Sequence, residues 1–486
     1  MRWTSRFSAG DGGWRHSALT RAGLTGLRGA RGALVAVLLG AAVAHPLRAQ
    51  GSPNEEPPPD SAAGLRSAFE SELAIDTAQA ALTAAQRRSG QSMSEWLLES
   101  RLTMQLRGYG LAQEKLSGSQ PRGMAGGGWM RFRTGRWRDH VVARAALYLS
   151  MRVVGDTAHG GTGILAPDQS NLVSLAVLNA EAYTGQQVFT LGRQDLNLPL
   201  VNKADTRMIP QTFQALMGRG HLVKYVDWVG GWLFKYKPRD SDRFIPMSQA
   251  NPGVTASRGM AALGLRRAEG HRMTGGVFDY YVPDVHNLMY AEGSWFAEPA
   301  AGTQLKFGLQ LVDQRSVGAG LSPGSPFSTR YLSTRIAGSR NRFVGALALS
   351  TTTSGGEVTS PYGLFPGHTS TMTTDFTRAS ESAWHLELSY DFGQAGAYGF
   401  TAFTGFTRGT GGRDVIAGTS LPDRSELEIT LDYKPERGSF QDIWFRARLA
   451  RTWQNGTAPD AYEFRLIGYY DVPLPWPPRP GERAPR

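Results

Sequence analysis

Residues 425–433 read Ser-Glu-Leu-Glu-Ile-Thr-Leu-Asp-Tyr, and apolar and polar side chains alternate along the whole stretch. Successive side chains of a β-strand point to opposite faces. One face then carries Leu427, Ile429, Leu431 and Tyr433. The other face carries Glu426, Glu428, Thr430 and Asp432. The stretch therefore predicts a strand with one apolar and one charged side.

The same period of two continues from about residue 94 to residue 474, in segments of roughly ten residues. Short turns separate some segments, at 269–272, 393–396 and 435–438. Long loops separate others, at 155–170, 239–256, 316–328 and 352–380. Short turns on one rim and long loops on the other are typical of outer-membrane barrels. We therefore predict an all-β, antiparallel transmembrane barrel of about eighteen strands, which is wide enough for an aqueous channel.

The composition fits this class without deciding it. The chain has 486 residues, no cysteine and 59 glycines, and its mean hydropathy is −0.31. Past the N-terminus no apolar run is long enough for a membrane-spanning helix. The formal charge of +11 includes a basic N-terminal segment, and the remaining arginines are scattered rather than clustered. We expect no nucleic-acid partner, no metal and no cofactor.

The N-terminus has the pattern of an export signal. Arg21, Arg28 and Arg31 precede the apolar run 33–44, which is too short to span a bilayer. We predict a signal peptide at 1–49, then a linker and a short helical periplasmic segment at 50–93. The barrel is expected at 94–474 and a Pro-rich tail at 475–486. Export of an amphipathic β-chain implies the bacterial outer membrane.

Aromatic residues fall near the ends of the predicted strands, where interfacial girdles are expected. The candidates are Trp228, Trp232, Tyr280, Tyr281, Trp295, Phe296, Trp384, Tyr390, Trp444 and Trp453.

Three stretches carry a family resemblance. Gly161-Thr162-Gly163 is followed by two hydrophobic residues in a loop, and residues 205–213 read Asp-Thr-Arg-Met-Ile-Pro-Gln-Thr-Phe. The last predicted strand, 464–474, reads Phe-Arg-Leu-Ile-Gly-Tyr-Tyr-Asp-Val-Pro-Leu. Together with the strand end at 191–202, these segments resemble the OprD family of outer-membrane porins. The segment 51–93 and the chain beyond 474 depart from the pattern of that family.

The resemblance implies an eighteen-stranded barrel that passes small solutes, often carboxylates, through a narrow eyelet. It also implies that the loop with Gly161, Thr162 and Gly163 folds into the barrel. The 195–207 segment, with Asp205 and Arg207, is a second candidate for the constriction, although these two residues could equally form a salt bridge at the rim. Expected partners are small solutes, outer-membrane lipid and lipopolysaccharide, and the barrels are expected as monomers or trimers.

The parity of the last two strands places three arginines in the lumen. In the seventeenth predicted strand, Arg446 and Arg448 lie opposite the apolar face, and Arg465 has the same orientation in the eighteenth. A charge on the lipid face would cost about 2–4 kcal/mol near the midplane, which supports the inward assignment. The positions resemble the arginine ladder of OprD porins, which can pass a carboxylate from one guanidinium to the next.

Carboxylates on neighbouring strands allow two interpretations of this ladder. Glu426, Glu428 and Asp432 on the sixteenth strand, together with Glu387 and Asp391 on the fourteenth, can provide the negative side of a transverse field that orients zwitterions. Alternatively, these carboxylates pair with the arginines as structural salt bridges.

Two other functions compete with a diffusion channel. One is an adhesin or structural barrel whose lumen is blocked, for example by 61–89. The other is a barrel hydrolase, because His385, Glu387 and Ser389 share one face of a strand. No nucleophile-elbow or His-Glu-x-x-His motif accompanies them, so the chain is predicted not to be an enzyme. The sequence does not identify the solute.

Overall fold

A computed structural model describes residue 96 and residues 99–267, 272–435, 443–456 and 460–472. The predicted signal peptide, the helical segment before the barrel and the C-terminal tail lie outside the described residues.

Eighteen long antiparallel strands form the barrel. They are β1 (Arg101–Glu114), β2 (Arg122–Arg133), β3 (Val141–Val154), β4 (Leu172–Thr184), β5 (Gln187–Gln194), β6 (Thr212–Val223), β7 (Val226–Lys237), β8 (Met260–Arg267), β9 (Met273–Val282), β10 (His286–Ala300), β11 (Thr303–Ser316), β12 (Ser328–Arg340), β13 (Phe343–Thr352), β14 (Ser382–Asp391), β15 (Phe400–Thr410), β16 (Arg424–Tyr433), β17 (Ile443–Gln454) and β18 (Ala461–Val472).

Each strand pairs with the next one in the chain, and β1 pairs with β18 from Met104↔Val472 to Glu114↔Tyr462. This last pairing closes the sheet and leaves no open edge, as a strand structure in lipid requires. Turns as short as two residues join strands at one rim, whereas the longest connections lie at the other rim. The long loops are 155–171, 195–211, 238–259, 317–327 and 353–381. The predicted fold class is confirmed.

The alternation of side chains has the predicted orientation. On β16, Leu427, Ile429 and Leu431 are 38%, 40% and 53% exposed on the outside of the barrel. Their polar neighbours Glu426 and Glu428 are 0% and 4% exposed, because they point inward among loops and other strands. The apolar outer face therefore suits hydrocarbon, and the inner face collects the charges.

The inner space is not an open cylinder. A cluster of buried side chains fills the side of the lumen bounded by β6 to β12, where the 195–211, 238–259 and 353–381 loops fold inward. Its large members include Phe213, Met247, Phe278, Tyr280, Tyr290, Tyr331, Tyr362 and Phe365. Burial of each such side chain contributes roughly 1.5–3 kcal/mol, so the loops are held as a packed core. The solute path is therefore displaced toward β14–β18 and β1.

Three of the predicted girdle residues, Tyr280, Trp444 and Phe296, face inward instead. Tyr280 is fully buried and donates its hydroxyl hydrogen bond to the Pro199 carbonyl inside the barrel. Trp444 donates from Nε1 to the lumenal Asp432 at 3.0 Å. Phe296 pairs with Lys306, which is 6% exposed, and has the same parity as the buried Tyr290 of β10. Proximity to a strand end does not distinguish the two faces, so these three assignments were wrong. Trp232, Tyr281, Trp295 and Trp384 are exposed on the outside, as the girdle predicts.

The remaining elements are short. Two-residue strands occur at Asn197–Leu198, Val201–Asn202, Ile245–Pro246, Arg413–Asp414 and Thr419–Ser420. Single 3₁₀ turns occur at Thr157–His159, Met247–Ala250 and Phe392–Ala395. Among the described residues, no helix has the length and apolar character needed to cross a membrane.

Candidate functional site

The predicted arginines of β17 lie on the lumen wall, and each is bound by a carboxylate of β16. Arg446 donates from Nε and Nη2 to the two oxygens of Asp432, at 2.7 and 2.9 Å. Arg448 donates from Nη2 to Glu428 Oε2 and from Nε to Thr430 Oγ1, both at 3.0 Å. The Arg446–Asp432 pair is bidentate, and Arg448 is held by one carboxylate oxygen and one hydroxyl, so both guanidiniums are fixed against the wall.

This pairing agrees with the second of the two interpretations, in which the β16 carboxylates form salt bridges with the arginines. Asp432 and Glu428 stand next to the arginines on the adjacent strand, so their charges cancel locally rather than across the pore. Glu426 has a different role, because it accepts hydrogen bonds from the Thr373 backbone N–H at 3.0 Å and from the Thr452 hydroxyl at 3.1 Å. It holds the 353–381 loop against the wall.

Arg465 and Arg207 meet at a single carboxylate, Glu463 of β18. Arg465 donates from Nε to Glu463 Oε1, and Arg207 Nη2 lies 3.3 Å from the same oxygen. Two guanidiniums therefore share one negative charge. Burial and the nearby charge of Arg465 lower the pKa of Arg207 to about 10, which leaves it protonated at neutral pH.

A third guanidinium, from Arg239 in the 238–259 loop, adjoins this pair. It donates to Thr206 Oγ1 at 3.1 Å and forms no ion pair with a carboxylate in the described part of the chain. Gly163 of the predicted constriction loop lies between the two loop arginines. A Cβ there would be 3.5 Å from Arg239 Nε and 3.7 Å from Arg207 Cγ. Arg207, Arg239, Arg465 and Glu463 are called the arginine cluster below.

The predicted constriction loop does fold inward. Thr162 is buried, and the Ile164 carbonyl accepts a 2.6 Å hydrogen bond from Ser150 of β3. Gly161 and Gly163 have φ angles of +77° and +68°, which glycine adopts without a steric penalty. The sequence motif thus marks a backbone that turns back into the barrel beside the arginines.

Asp205 and Arg207 do not pair with each other. Asp205 binds Arg107 of β1 at 2.6 and 3.2 Å, and Arg107 also donates to the carbonyls of Arg207 and Met208. Burial by itself raises the pKa of Asp205, but the charge and hydrogen bonds of Arg107 outweigh it and hold that pKa below its ordinary value. The Asp205–Arg107 pair fastens the 195–211 loop to β1.

A cavity of about 780 Å³ lies in front of the arginine cluster. Arg448, Arg465, Arg207 and Arg239 are among its lining residues. Glu387 of β14 also lines it, and this carboxylate is bound by Arg335 of β12 at 2.6 Å and by His385 at 3.0 Å. The volume suits a small organic molecule.

The residue pattern alone did not single out Arg239, Arg335 or Glu463. Arg239 lies in a loop with no period, and Arg335 and Glu463 look like any other inward charge.

The sequence matches a known protein family over more than half of its length. The model described as outer membrane porin, OprD family, matches residues 134–474, which is more than half of the chain. The chain belongs to the OprD family. Members of this family are porins of the outer membrane of Gram-negative bacteria, so the predicted family, channel function and location are confirmed.

Several solved structures share the barrel of this OprD-family porin. OccK9 (OpdG) of Pseudomonas aeruginosa is 20% identical, with a TM-score of 0.71, covering 78% of this chain and 100% of that chain. OpdK of the same organism, solved with vanillate, is 17% identical with a TM-score of 0.69, covering 78% and 99%. OccK2 (OpdF), solved with glucuronate, is 17% identical with a TM-score of 0.67, covering 78% and 99%. A comparison with curated proteins found no match.

The 353–381 loop of this OprD-family porin folds into the lumen, although its sequence predicted only a long loop at the rim. The Leu364 and Pro366 carbonyls accept hydrogen bonds from Asn202 at 3.0 Å and Gln310 at 2.8 Å. Farther along, the Met372 carbonyl accepts a hydrogen bond from Arg465 at 3.0 Å. The loop therefore crosses the lumen from the packed side to the charged wall.

The base of this loop is fastened by a fully buried carboxylate, Glu381. Arg378 binds it at 2.7 Å, and Arg424 of β16 binds both of its oxygens at 2.9 and 2.7 Å. Burial by itself raises the pKa of Glu381, but the two arginines outweigh burial and hold that pKa below its ordinary value of 4.5.

Proposed function

We propose that this porin favours small carboxylate-bearing solutes, such as organic acids, amino acids or peptides, and that the arginine cluster is the element that selects them. This proposal rests on an excess of positive charge at one place in the lumen. Arg207 and Arg465 share the single carboxylate of Glu463 and Arg239 adjoins them, whereas Arg446 and Arg448 are each balanced by a carboxylate. The cluster also lines the cavity.

The chemistry follows from the donors that remain at the cluster. Arg239 uses one hydrogen bond, to Thr206, and adjoins the cavity through a side chain without a carboxylate partner among the described residues. A guanidinium binds a carboxylate through two parallel N–H donors, which replace part of the solute's water shell. Arg446 and Arg448, whose charges are balanced by carboxylates, continue the solute path along β17 as polar and nearly neutral positions.

Two neighbours support the preference for carboxylates. Vanillate and glucuronate, named with OpdK and OccK2, are both carboxylates. Each contains a small ring and one carboxylate group, which a cavity of about 780 Å³ can hold.

The test compares a charge-removing and a charge-conserving substitution of Arg239 in planar bilayers. Arg239→Gln removes one positive charge from the cluster and should shift the reversal potential in a KCl gradient toward cations. It should also weaken block of the current by benzoate-type carboxylates severalfold. Arg239→Lys keeps the charge and should retain the anion preference while losing part of the carboxylate block, because lysine cannot bind bidentately.

Unchanged reversal potentials and block in Arg239→Gln would remove the cluster from the selectivity filter. The channel function itself would stand, since it depends on the barrel and the family.

The remaining expectations about partners and activity belong to this proposal. The outer face is proposed to contact outer-membrane lipid, because exposed leucine, valine and phenylalanine side chains cover it. Two expectations stay predictions: the barrels occur as monomers or trimers, and the protein has no enzymatic activity. The porin family favours the channel over the adhesin and hydrolase alternatives.

A further inference from the structure

A charged cluster lies on the outside of the barrel, at the rim with the long loops. Asp313 of β11 faces Arg330 of β12 directly in the register, and Arg315 stands two residues farther along β11 on the same face. This face is the outer one, because the intervening Val312 and Gln314 are buried inside the barrel at 1% exposure each. The three residues are called the outer arginine clamp.

The clamp sits where the apolar band of the outer face ends. The pair next to Asp313↔Arg330 on the same face is Leu311↔Leu332, and Leu309 follows below it. Leu332 and Leu309 are both well exposed on the outside. Residues two apart on a strand are about 6.6–6.8 Å apart along the backbone. The guanidiniums are therefore within one side-chain row of the surface that contacts hydrocarbon.

The clamp carries two positive charges and one negative charge. Arg315 donates to Asp313 Oδ1 at 2.8 and 2.5 Å, and Arg330 Nε donates to Oδ2 at 2.8 Å. The Asp313 side chain is only 7% exposed because the guanidiniums cover it, while the arginine side chains are 52% and 63% exposed. Both Nη groups of Arg330 have no protein acceptor among the described residues.

An uncompensated positive charge at the edge of a low-dielectric layer favours an anionic partner. Arg451 on β17 provides a comparison at the same rim. It is 52% exposed like Arg315, and its Nε and Nη2 donate to Asp460 Oδ2 at 2.9 and 2.5 Å, but no second arginine binds that carboxylate among the described residues. Two convergent guanidiniums with free N–H groups match the several acceptor oxygens of a phosphate. In the outer membrane, the layer beside the long loops is built of phosphorylated glycolipid.

We propose that the outer arginine clamp binds a phosphate group of lipopolysaccharide, with the acyl chains of the same lipid lying on the leucines below. Arg315 and Arg330 supply the donors, and Asp313 fixes both guanidiniums so that little side-chain freedom is lost on binding. The proposal depends on the outer-membrane location and not on the selectivity of the pore.

The experiment measures binding of lipid A to the delipidated full-length protein in detergent micelles, by native mass spectrometry or microscale thermophoresis. The double variant R315Q/R330Q should bind lipid A at least about tenfold more weakly, since each charge-assisted hydrogen bond lost is worth roughly a factor of ten or more. Arg451→Gln is the matched control and should bind like the wild type. The single variant Arg330→Gln, on the most exposed side chain, should show an intermediate loss.

Two further probes identify the source of the anion. Dephosphorylated lipid A should bind the wild-type protein as weakly as phosphorylated lipid A binds the double variant. Inorganic phosphate at equal concentration should not compete. Equal binding of lipid A by the wild type and by R315Q/R330Q or Arg330→Gln overturns the proposal, and effective competition by inorganic phosphate overturns its assignment to a lipid. Heat-modifiable migration on gels reports whether each variant has a folded barrel.

Discussion

Exchanging Glu428 for glutamine, or Arg448 for glutamine, changes the charge of the lumen wall by one unit in opposite directions. In the wild type, Arg448 Nη2 lies 3.0 Å from Glu428 Oε2, and both residues line the cavity. Glu428→Gln should make the pore more selective for anions, because the Arg448 charge is no longer balanced by its carboxylate. Arg448→Gln should make the pore less selective for anions.

The size of the effect follows from Coulomb's law. Two unit charges 4 Å apart interact by about 1 kcal/mol in water and about 4 kcal/mol at an effective dielectric constant of 20. A hydrated lumen is close to the first value, so about 1 kcal/mol is expected for a solute that passes at this distance. That corresponds to a factor of about five in the permeability ratio of anion to cation.

The assay is the reversal potential of single channels in a KCl gradient, at low and at high salt. The two single variants should shift the potential in opposite directions, and the shifts should shrink at 1 M salt, where the Debye length is about 3 Å. The double variant R448Q/E428Q should return close to the wild type, because the pair compensates itself.

One result would refute this reasoning. If the double variant loses anion selectivity as strongly as Arg448→Gln alone, then Arg448 acts on solutes despite its carboxylate. The original hypothesis of an arginine track down β17 would then be correct, and the arginine cluster would not be the main selective element.

Three other changes test how the loops are held. Glu381→Gln leaves two buried guanidiniums without their carboxylate at a cost of about 3–5 kcal/mol, so the 353–381 loop should loosen and the current noise should rise. The pKa of Glu381 in the folded protein is depressed, so the stabilisation from its ion pairs is present above pH 4.5 and is lost as the pH falls through the folded pKa below that value. Acid should therefore raise the current noise of the wild type and have no further effect on the variant. Gly163→Ala places a residue with a Cβ at a φ of +68°, which costs about 1 kcal/mol. The added methyl group should narrow the path at the arginine cluster and lower the conductance. An unchanged conductance would place Gly163 outside the constriction. Asp205→Asn should lower the thermal unfolding temperature and raise conductance, since the buried Arg107 loses the carboxylate that fastens the 195–211 loop, and an unaltered melting curve would contradict that role.

The alternation of the chain was enough to predict which side chains face the lumen. Arg446, Arg448 and Arg465 point inward as expected, because strand parity is a local property and a slip of one residue would place charges in hydrocarbon. Proximity to a strand end was a poorer guide and failed for Tyr280, Trp444 and Phe296, since aromatic side chains are stable at a strand end on either face.

The partners of each charge were beyond local reasoning. Glu428 and Asp432 had two open roles, a field across the pore or salt bridges with the arginines, and parity alone did not choose the salt bridges that they form with Arg448 and Arg446. Arg107 and Asp205 are 98 residues apart, and no spacing rule connects them. Arg239 reaches the lumen from a loop whose sequence has no period at all.

The sequence by itself determined a closed barrel, its strand number, the orientation of its wall residues and the rim with the long loops, because each of these follows from the period of two and from the cost of charge in lipid. Only the tertiary structure decided where positive charge remains unbalanced in the lumen. That balance depends on which loops fold inward and which carboxylate each guanidinium meets, and such contacts form between segments that are remote in the chain but adjacent in the barrel.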